Sequence, residues 1–188
     1  SAQRIMRDGG EPGDGREEMI RSGKTNLTRI AVAAMEKAVP TADVVLLNSG
    51  SIRVDDIIQM PVTEYDIIRT LPYGGSIMEV DMKGSLLIQV LEAGRNNVGS
   101  GGFLQYSSAV DYHPEKSGWT LKEVAIDPKK TYHVALADFL MTGGEANMGF
   151  LNKDHPDIIK IYPTSTSVTD PRSDFRLAII KYMVELGK

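Results

Sequence analysis

Asn48-Ser49-Gly50-Ser51-Ile52-Arg53 is a small-residue turn closed by an arginine, directly after the apolar run Val44-Val45-Leu46-Leu47. An apolar run of that length without helical spacing reads as a buried strand. The turn then sits at a strand's C-terminal end, where α/β sheets take ligands. Asn48 offers both a donor and an acceptor, Gly50 lets a ligand approach the backbone, and Arg53 supplies a cationic fork suited to phosphate or carboxylate. Many structural loops share the pattern, so the turn alone leaves a ligand site and an ordinary loop both open.

Three further segments carry candidate chemistry. Asp138-Phe139-Leu140-Met141-Thr142-Gly143-Gly144-Glu145 leaves an expected strand and enters a Gly-Gly turn followed by an acid. Glu145 is either a solvated turn residue or an acceptor for sugar hydroxyls. Leu71-Pro72-Tyr73-Gly74-Gly75 holds a ring on a loop. Tyr73 either covers the core or stacks on a base, and Phe139 is either core or the second face of such a clamp; one base-aromatic contact carries roughly 1–3 kcal/mol. Arg16 and Arg21 precede the first expected helix, a setting that favours anions but equally suits solvated arginines. His113, His133 and His155 lack paired or i, i+4 spacing and the chain has no cysteine, so no metal centre, thiolate zinc site or cysteine nucleophile is expected.

The elements that must position these residues follow from patterning. At 188 residues, 41% apolar and 24% charged, the chain fits one globular domain with a substantial core. Twenty-one basic against 25 acidic residues, with no basic tract, argue against a nucleic-acid polymer as partner, while a single nucleotide in a local pocket stays compatible. No long apolar run predicts a membrane span. Asp8 to Gly15 is rich in glycine, proline and acid and is expected to form no regular element. Residues 1–15 therefore read as a linker or an added segment, and 16–188 as the domain.

Leu27, Ile30, Ala31, Ala34, Met35 and Ala38 recur at helical spacing up to Pro40. Thr63 with Asp66 predicts a capped helix through Thr70, and 57–61 a short extended segment. A strand over 77–82 precedes a helix after Gly84-Ser85. Residues 103–112, 120–126 and 132–137 read as strands, the last two expected to pair antiparallel across the turn Asp127-Pro128-Lys129-Lys130. A strand over 158–162 precedes a C-terminal helix expected to start at Asp170-Pro171, with a buried stripe of Phe175, Ala178, Ile179, Tyr182, Met183 and Leu186. The expected fold class is α/β, of the α+β type: a mixed sheet flanked by helices.

In this order, the segments resemble the C-terminal substrate-binding domain of the 5'-nucleotidase family, which includes UDP-sugar hydrolases and 2',3'-cyclic-nucleotide phosphodiesterases. Arg21 to Leu27 resembles the family's arginine and Asn-Leu helix start, and Asn48 to Arg53 its Asn-Gly-Gly-x-Ile-Arg turn. Leu71 to Gly74 resembles Leu-Pro-Phe-Gly, Gly102-Phe103-Leu104-Gln105 a Gly-x-x-Gln strand, and Phe139 to Glu145 Phe-x-x-x-Gly-Gly-Asp. Departures are Thr28-Arg29 for Gly-Asn, Ala33 for Asp, Ser49 for Gly, Ser107-Ser108 for Ser-Gly, Glu145 for Asp and Ala146 for Gly.

The resemblance implies that Tyr73 and Phe139 sandwich a nucleobase and that Asn48 contacts it. It implies that Arg21 and Arg53 hold phosphate or sugar oxygens, that Glu145 binds ribose hydroxyls, and that Gly50 and Gly102 let backbone approach the ligand. Hydrolysis in the family belongs to an N-terminal metallophosphatase domain with two divalent metal ions. That domain is expected in the same or a separate chain, none of its metal motifs being present here. The implied location is periplasmic or extracellular, in a bacterium. Two other readings are a stand-alone nucleotide-binding or interaction module and, within the fold, a different ester substrate, as in thiosulfate-oxidising hydrolases.

Overall fold

The computed structural model describes residues 13–116 and 118–187. Most of the glycine-rich stretch read as a linker lies outside these residues, but its end is regular. Gly13–Asp14 forms β1, whose partner is a short strand further along the chain. Then come α1 (Glu17–Ile20) and α2 (Asn26–Ala38). Thr25 and Thr28 cap α2 reciprocally, each hydroxyl accepting the other's backbone N–H, which satisfies two otherwise orphaned donors. Next are β2 (Val44–Asn48), β3 (Ile57–Ile58), which pairs antiparallel with β1, and α3 (Glu64–Thr70), capped by the expected Thr63–Asp66 box. β4 (Ile77–Lys83), α4 (Gly84–Asn96), β5 (Leu104–Tyr106), β6 (Val110–His113), β7 (Gly118–Leu121), β8 (Val124–Ala125), β9 (Thr131–Ala137), β10 (Ile158–Ile161) and α5 (Phe175–Leu186) complete the described chain.

The main sheet has the order β10-β4-β9-β2-β5, with β2 and β9 parallel and every other pair antiparallel. It is the expected mixed sheet flanked by helices. Alternate side chains of β2 and β9 feed two cores. Val45, Leu47, Ala135 and Ala137 join α2 and α5 on one face. Val44, Leu46, Val134 and Leu136 join α4 and Trp119 on the other. Trp119 donates its indole N–H to Glu92 (3.0 Å), tying the small β6-β7-β8 sheet to α4.

The structure corrects the expected middle of the chain. Residues 103–112 form two strands, β5 and β6, in different sheets. The break falls at Ser107, whose hydroxyl accepts the Val45 N–H (2.7 Å). The stretch 120–126 is a hairpin, β7 and β8, joined by Lys122 and Glu123 with φ of 50° and 65°, as a two-residue type I' loop needs. β8 and β9 do not pair, because β9 lies between β2 and β4. α5 starts after Asp174, not at Asp170, and Leu186 of the expected stripe is exposed.

β4 and β9 also place His133 between two carboxylates. Nδ1 lies 2.6 Å from Asp81, its cross-strand partner, and Nε2 2.9 Å from Glu79. Tyr162 donates its hydroxyl to Asp81 (2.7 Å), and Arg172 links Glu79 to Asp170. Burial alone would lower the His133 pKa; the hydrogen bonds to Asp81 and Glu79 outweigh it and raise the value above 6.5. A folded-state pKa above the unfolded one gives stability that is complete below pH 6.5 and lost as pH rises through the folded value. The difference in unfolding free energy between wild type and His133→Asn is therefore expected to be largest near pH 6 and to shrink towards pH 9. Urea denaturation across that range measures it, and a pH-independent difference would refute the charged pairing.

Candidate functional site

The parallel pair β2 and β9 end on the same edge of the sheet, where β10 also ends and β4 and β5 begin. A cleft of about 1040 Å³ opens along that edge. It runs from the end of β2 to the end of β10, three strand spacings or about 14 Å apart. Asn48, Gly50, Arg53, Tyr73, Phe139 and Glu145 all line it, although up to 97 residues separate them in sequence.

Both rings are available to a ligand. Tyr73 is 79% exposed and Phe139 45%, and among the described residues neither packs on another ring, so neither is a core residue. Tyr73 stands on the loop between α3 and β4, and Phe139 on the single 3-10 turn that ends β9. The Arg53 guanidinium lies 5.9 Å from the Tyr73 ring centroid, and its backbone N–H bonds the Thr70 carbonyl (2.8 Å), fixing the turn beside the end of α3. Among the described residues no carboxylate reaches Arg53 within ion-pair distance, which leaves a cation facing the cleft.

Asn48 is buried and turned sideways. Its Nδ2 donates to Glu145 Oε2 (3.0 Å), and its Oδ1 accepts the Ser51 hydroxyl (2.8 Å). Glu145 Oε1 accepts the N–H of Ala146 (2.9 Å), so the carboxylate is anchored at both oxygens and still lines the cleft. Gly50 donates its N–H to the Gly101 carbonyl (2.8 Å), and a Cβ at position 50 would meet the Gly101 backbone at 3.2 Å. A side chain at position 50 would therefore crowd the Gly101 backbone.

Arg21 and Gly102 do not line the cleft. Arg21 pairs with Glu17 (3.0 Å), and its carbonyl accepts the Gly99 N–H (2.7 Å). Arg16 pairs with Asp14 (2.8 Å). Gly102 backs Glu145: a Cβ there would lie 3.0 Å from Oε1 and 2.4 Å from Asn97 Nδ2.

Sequence reasoning gave no role to four lining residues that matter. Met78 and Ile161 supply apolar wall at the β10 end and Lys153 a second cation. Asp138 accepts the Ser76 N–H (3.2 Å) and hydroxyl (3.1 Å), fixing the start of β4. Topology brings these together, and no local spacing announces them.

Asp111 and His113 stand in Asp-x-His spacing on β6. Among the described residues, however, no cluster of three or more histidines and acids is placed to hold a metal ion. What the cleft offers is recognition: two exposed rings for a planar group, an anchored carboxylate for hydroxyls, and Arg53 for an anion.

Known proteins resemble this chain in sequence and in fold. Residues 8–151 match the family model described as 5'-nucleotidase, C-terminal domain. The protein UshA of Yersinia enterocolitica is 32% identical over 136 residues, which cover 70% of this chain and 24% of that protein. UshA of Escherichia coli is 26% identical over 181 residues, covering 86% of this chain and 32% of that one. The crystal structure of a 5'-nucleotidase precursor from Thermus thermophilus superposes with a TM-score of 0.73 at 22% identity, covering 98% of this chain and 37% of the other, and so shares the fold. The chain spans about a quarter to two fifths of the length of these proteins.

Proposed function

This chain belongs to the 5'-nucleotidase C-terminal domain family, and we propose that it is the substrate-specificity part of a phosphoester hydrolase. It holds the base and ribose of a nucleotide while a metallophosphatase domain, in the same or a separate chain, performs the hydrolysis. One observation carries this reading: Tyr73, Phe139, Arg53 and the anchored Glu145 converge on a single cleft at the sheet edge. Tyr73 and Phe139 take the two faces of the base, Glu145 takes ribose hydroxyls, and Arg53 takes phosphate or sugar oxygens, with Gly50 keeping backbone close. Arg21, whose Nη2 pairs with Glu17, and Gly102 stand outside the lining of that cleft.

Two divalent metal ions would be held by the phosphatase part and would supply Lewis-acid activation of water there, leaving base and ribose recognition to the residues of this chain. The matched relatives are bacterial, and a periplasmic or secreted location fits the resemblance. Among the described residues no helix is long and apolar enough to cross a membrane.

The test has two arms. The 188-residue chain is expected to bind nucleosides, detected by calorimetry or NMR, and to release no phosphate from a nucleotide panel with Mg²⁺, Mn²⁺ or Zn²⁺. The intact gene product with its phosphatase partner is expected to hydrolyse members of the same panel. Nucleoside binding with no hydrolysis by any partnered form would favour a stand-alone module, and no binding at millimolar nucleoside would overturn the nucleotide reading.

A further inference from the structure

Two buried asparagines bracket Glu145. Asn48, 4% exposed, is engaged inside the protein at both ends of its amide, by Glu145 and by Ser51. Asn97, also 4% exposed, caps α4 at its C-terminal end. Both Asn97 amide hydrogens are used, on the carbonyls of Ala146 (2.7 Å) and Gly102 (3.2 Å), and its Oδ1 accepts from Asn147 Nδ2 (2.7 Å). Asn48 thus holds the carboxylate, and Asn97 holds the loop that bears it.

A glutamate side chain has three rotatable bonds, and ordering it on binding weakens affinity. Here the ordering is done beforehand. Each Glu145 oxygen accepts one internal hydrogen bond, and an ionised carboxylate has about four lone-pair sites in all. Glu145 lines the cleft, and a free acceptor site on each of two adjacent oxygens suits the two neighbouring O–H donors of a cis-diol. Removing either asparagine leaves the carboxylate present but misplaced, and displacements near 1 Å are enough to spoil such contacts.

We propose that Asn48 and Asn97 are positioning residues for the Glu145 carboxylate and together set a preference for ribose over 2'-deoxyribose. This rests on the nucleotide reading above and differs at Asn48 from the base contact that the family resemblance implies, because its amide is engaged by Glu145 and Ser51.

The experiment titrates the 188-residue chain with adenosine and uridine and with their 2'-deoxy forms. The wild-type Kd ratio, deoxy over ribo, is expected to be about tenfold or more, the scale of one hydrogen bond to a charged group. In Asn48→Ala and in Asn97→Asp the ribonucleoside Kd is expected to rise more than the deoxynucleoside Kd, bringing the ratio within about threefold, as in Glu145→Ala. Asn48→Ala on Glu145→Ala is expected to change the ratio no further. A purely structural role for Asn48 would weaken both sugars equally, so an unmoved ratio in Asn48→Ala overturns the inference even where Asn97→Asp fails to fold. A wild-type chain that binds nucleosides without sugar preference also overturns it, while leaving the nucleotide reading standing. One that binds no nucleoside removes both.

Discussion

Replacing Tyr73 and Phe139 together by alanine is expected to weaken nucleoside binding by about 10² to 10³-fold, since one base-aromatic contact is worth roughly 1–3 kcal/mol and two are lost. Each single replacement is expected to account for about tenfold, because the remaining ring still covers one face. Two features make the effect specific. Tyr73 and Phe139 are exposed, so alanine opens no core cavity and the melting temperature should hardly move. Tyr65, on α3, is 70% exposed and does not line the cleft, so Tyr65→Ala should leave affinity unchanged. Ribose 5-phosphate, which has no base, should bind the double variant as it binds wild type. Equal losses for nucleosides and ribose 5-phosphate would show that the rings shape the cleft and do not stack.

Local patterns made much of this site legible. The buried run ending in Asn48, the loop ring at Tyr73 and the Gly-Gly-acid turn at Glu145 each sit next to a strand end, and strand ends share an edge when a sheet closes around them. Which acid or amide bonds which was not legible. That Asn48 reaches Glu145, 97 residues away, depends on β2 and β9 being parallel neighbours. A two-residue alternation signal cannot state that pairing. Yet β9 did carry a hint: Val134 to Ala137 is apolar at every position, the mark of a strand buried on both faces and so of a central place in the sheet. The turn from Asp127 to Lys130 suggests a hairpin partner for β9, and the sheet order β4-β9-β2 overrides it.

The start of α5 illustrates a second limit. Asp170 accepts the N–H of Arg172 (2.9 Å) and pairs with its guanidinium, while Asp174 does the same with Arg176 (2.9 Å). Both are local Asx turns with equal claim to cap a helix. Long-range partners decide between them: the Arg172 carbonyl is taken by the Ile77 N–H (2.9 Å), and the Phe175 N–H by the Gly75 carbonyl (3.0 Å). Residues 170–173 serve as a strap along the start of β4, and the helix begins only once that strap is complete.

That strap makes Phe175 the position where stability and recognition meet. Its side chain is 2% exposed, in the core formed by α2, α3 and α5, and its ring backs Gly75, where an added Cβ would meet Cε1 at 2.9 Å. Gly74, one residue earlier, lies under the Arg176 guanidinium. The loop that presents Tyr73 is therefore seated on the first turn of α5. Phe175→Ala is expected to destabilise the fold by about 3–5 kcal/mol, the usual range for emptying a buried phenylalanine site. Urea denaturation should show a lower midpoint with an unchanged slope, and a loss under about 1 kcal/mol would mean that the core collapses into the space. Phe175→Leu keeps most of the volume and should stay folded, but its shorter side chain no longer supports Gly75. Nucleoside affinity should then fall through Tyr73 alone, so Phe175→Leu should weaken binding in the wild-type background and add little on top of Tyr73→Ala. Additive losses would show that α5 does not act on the cleft through this loop.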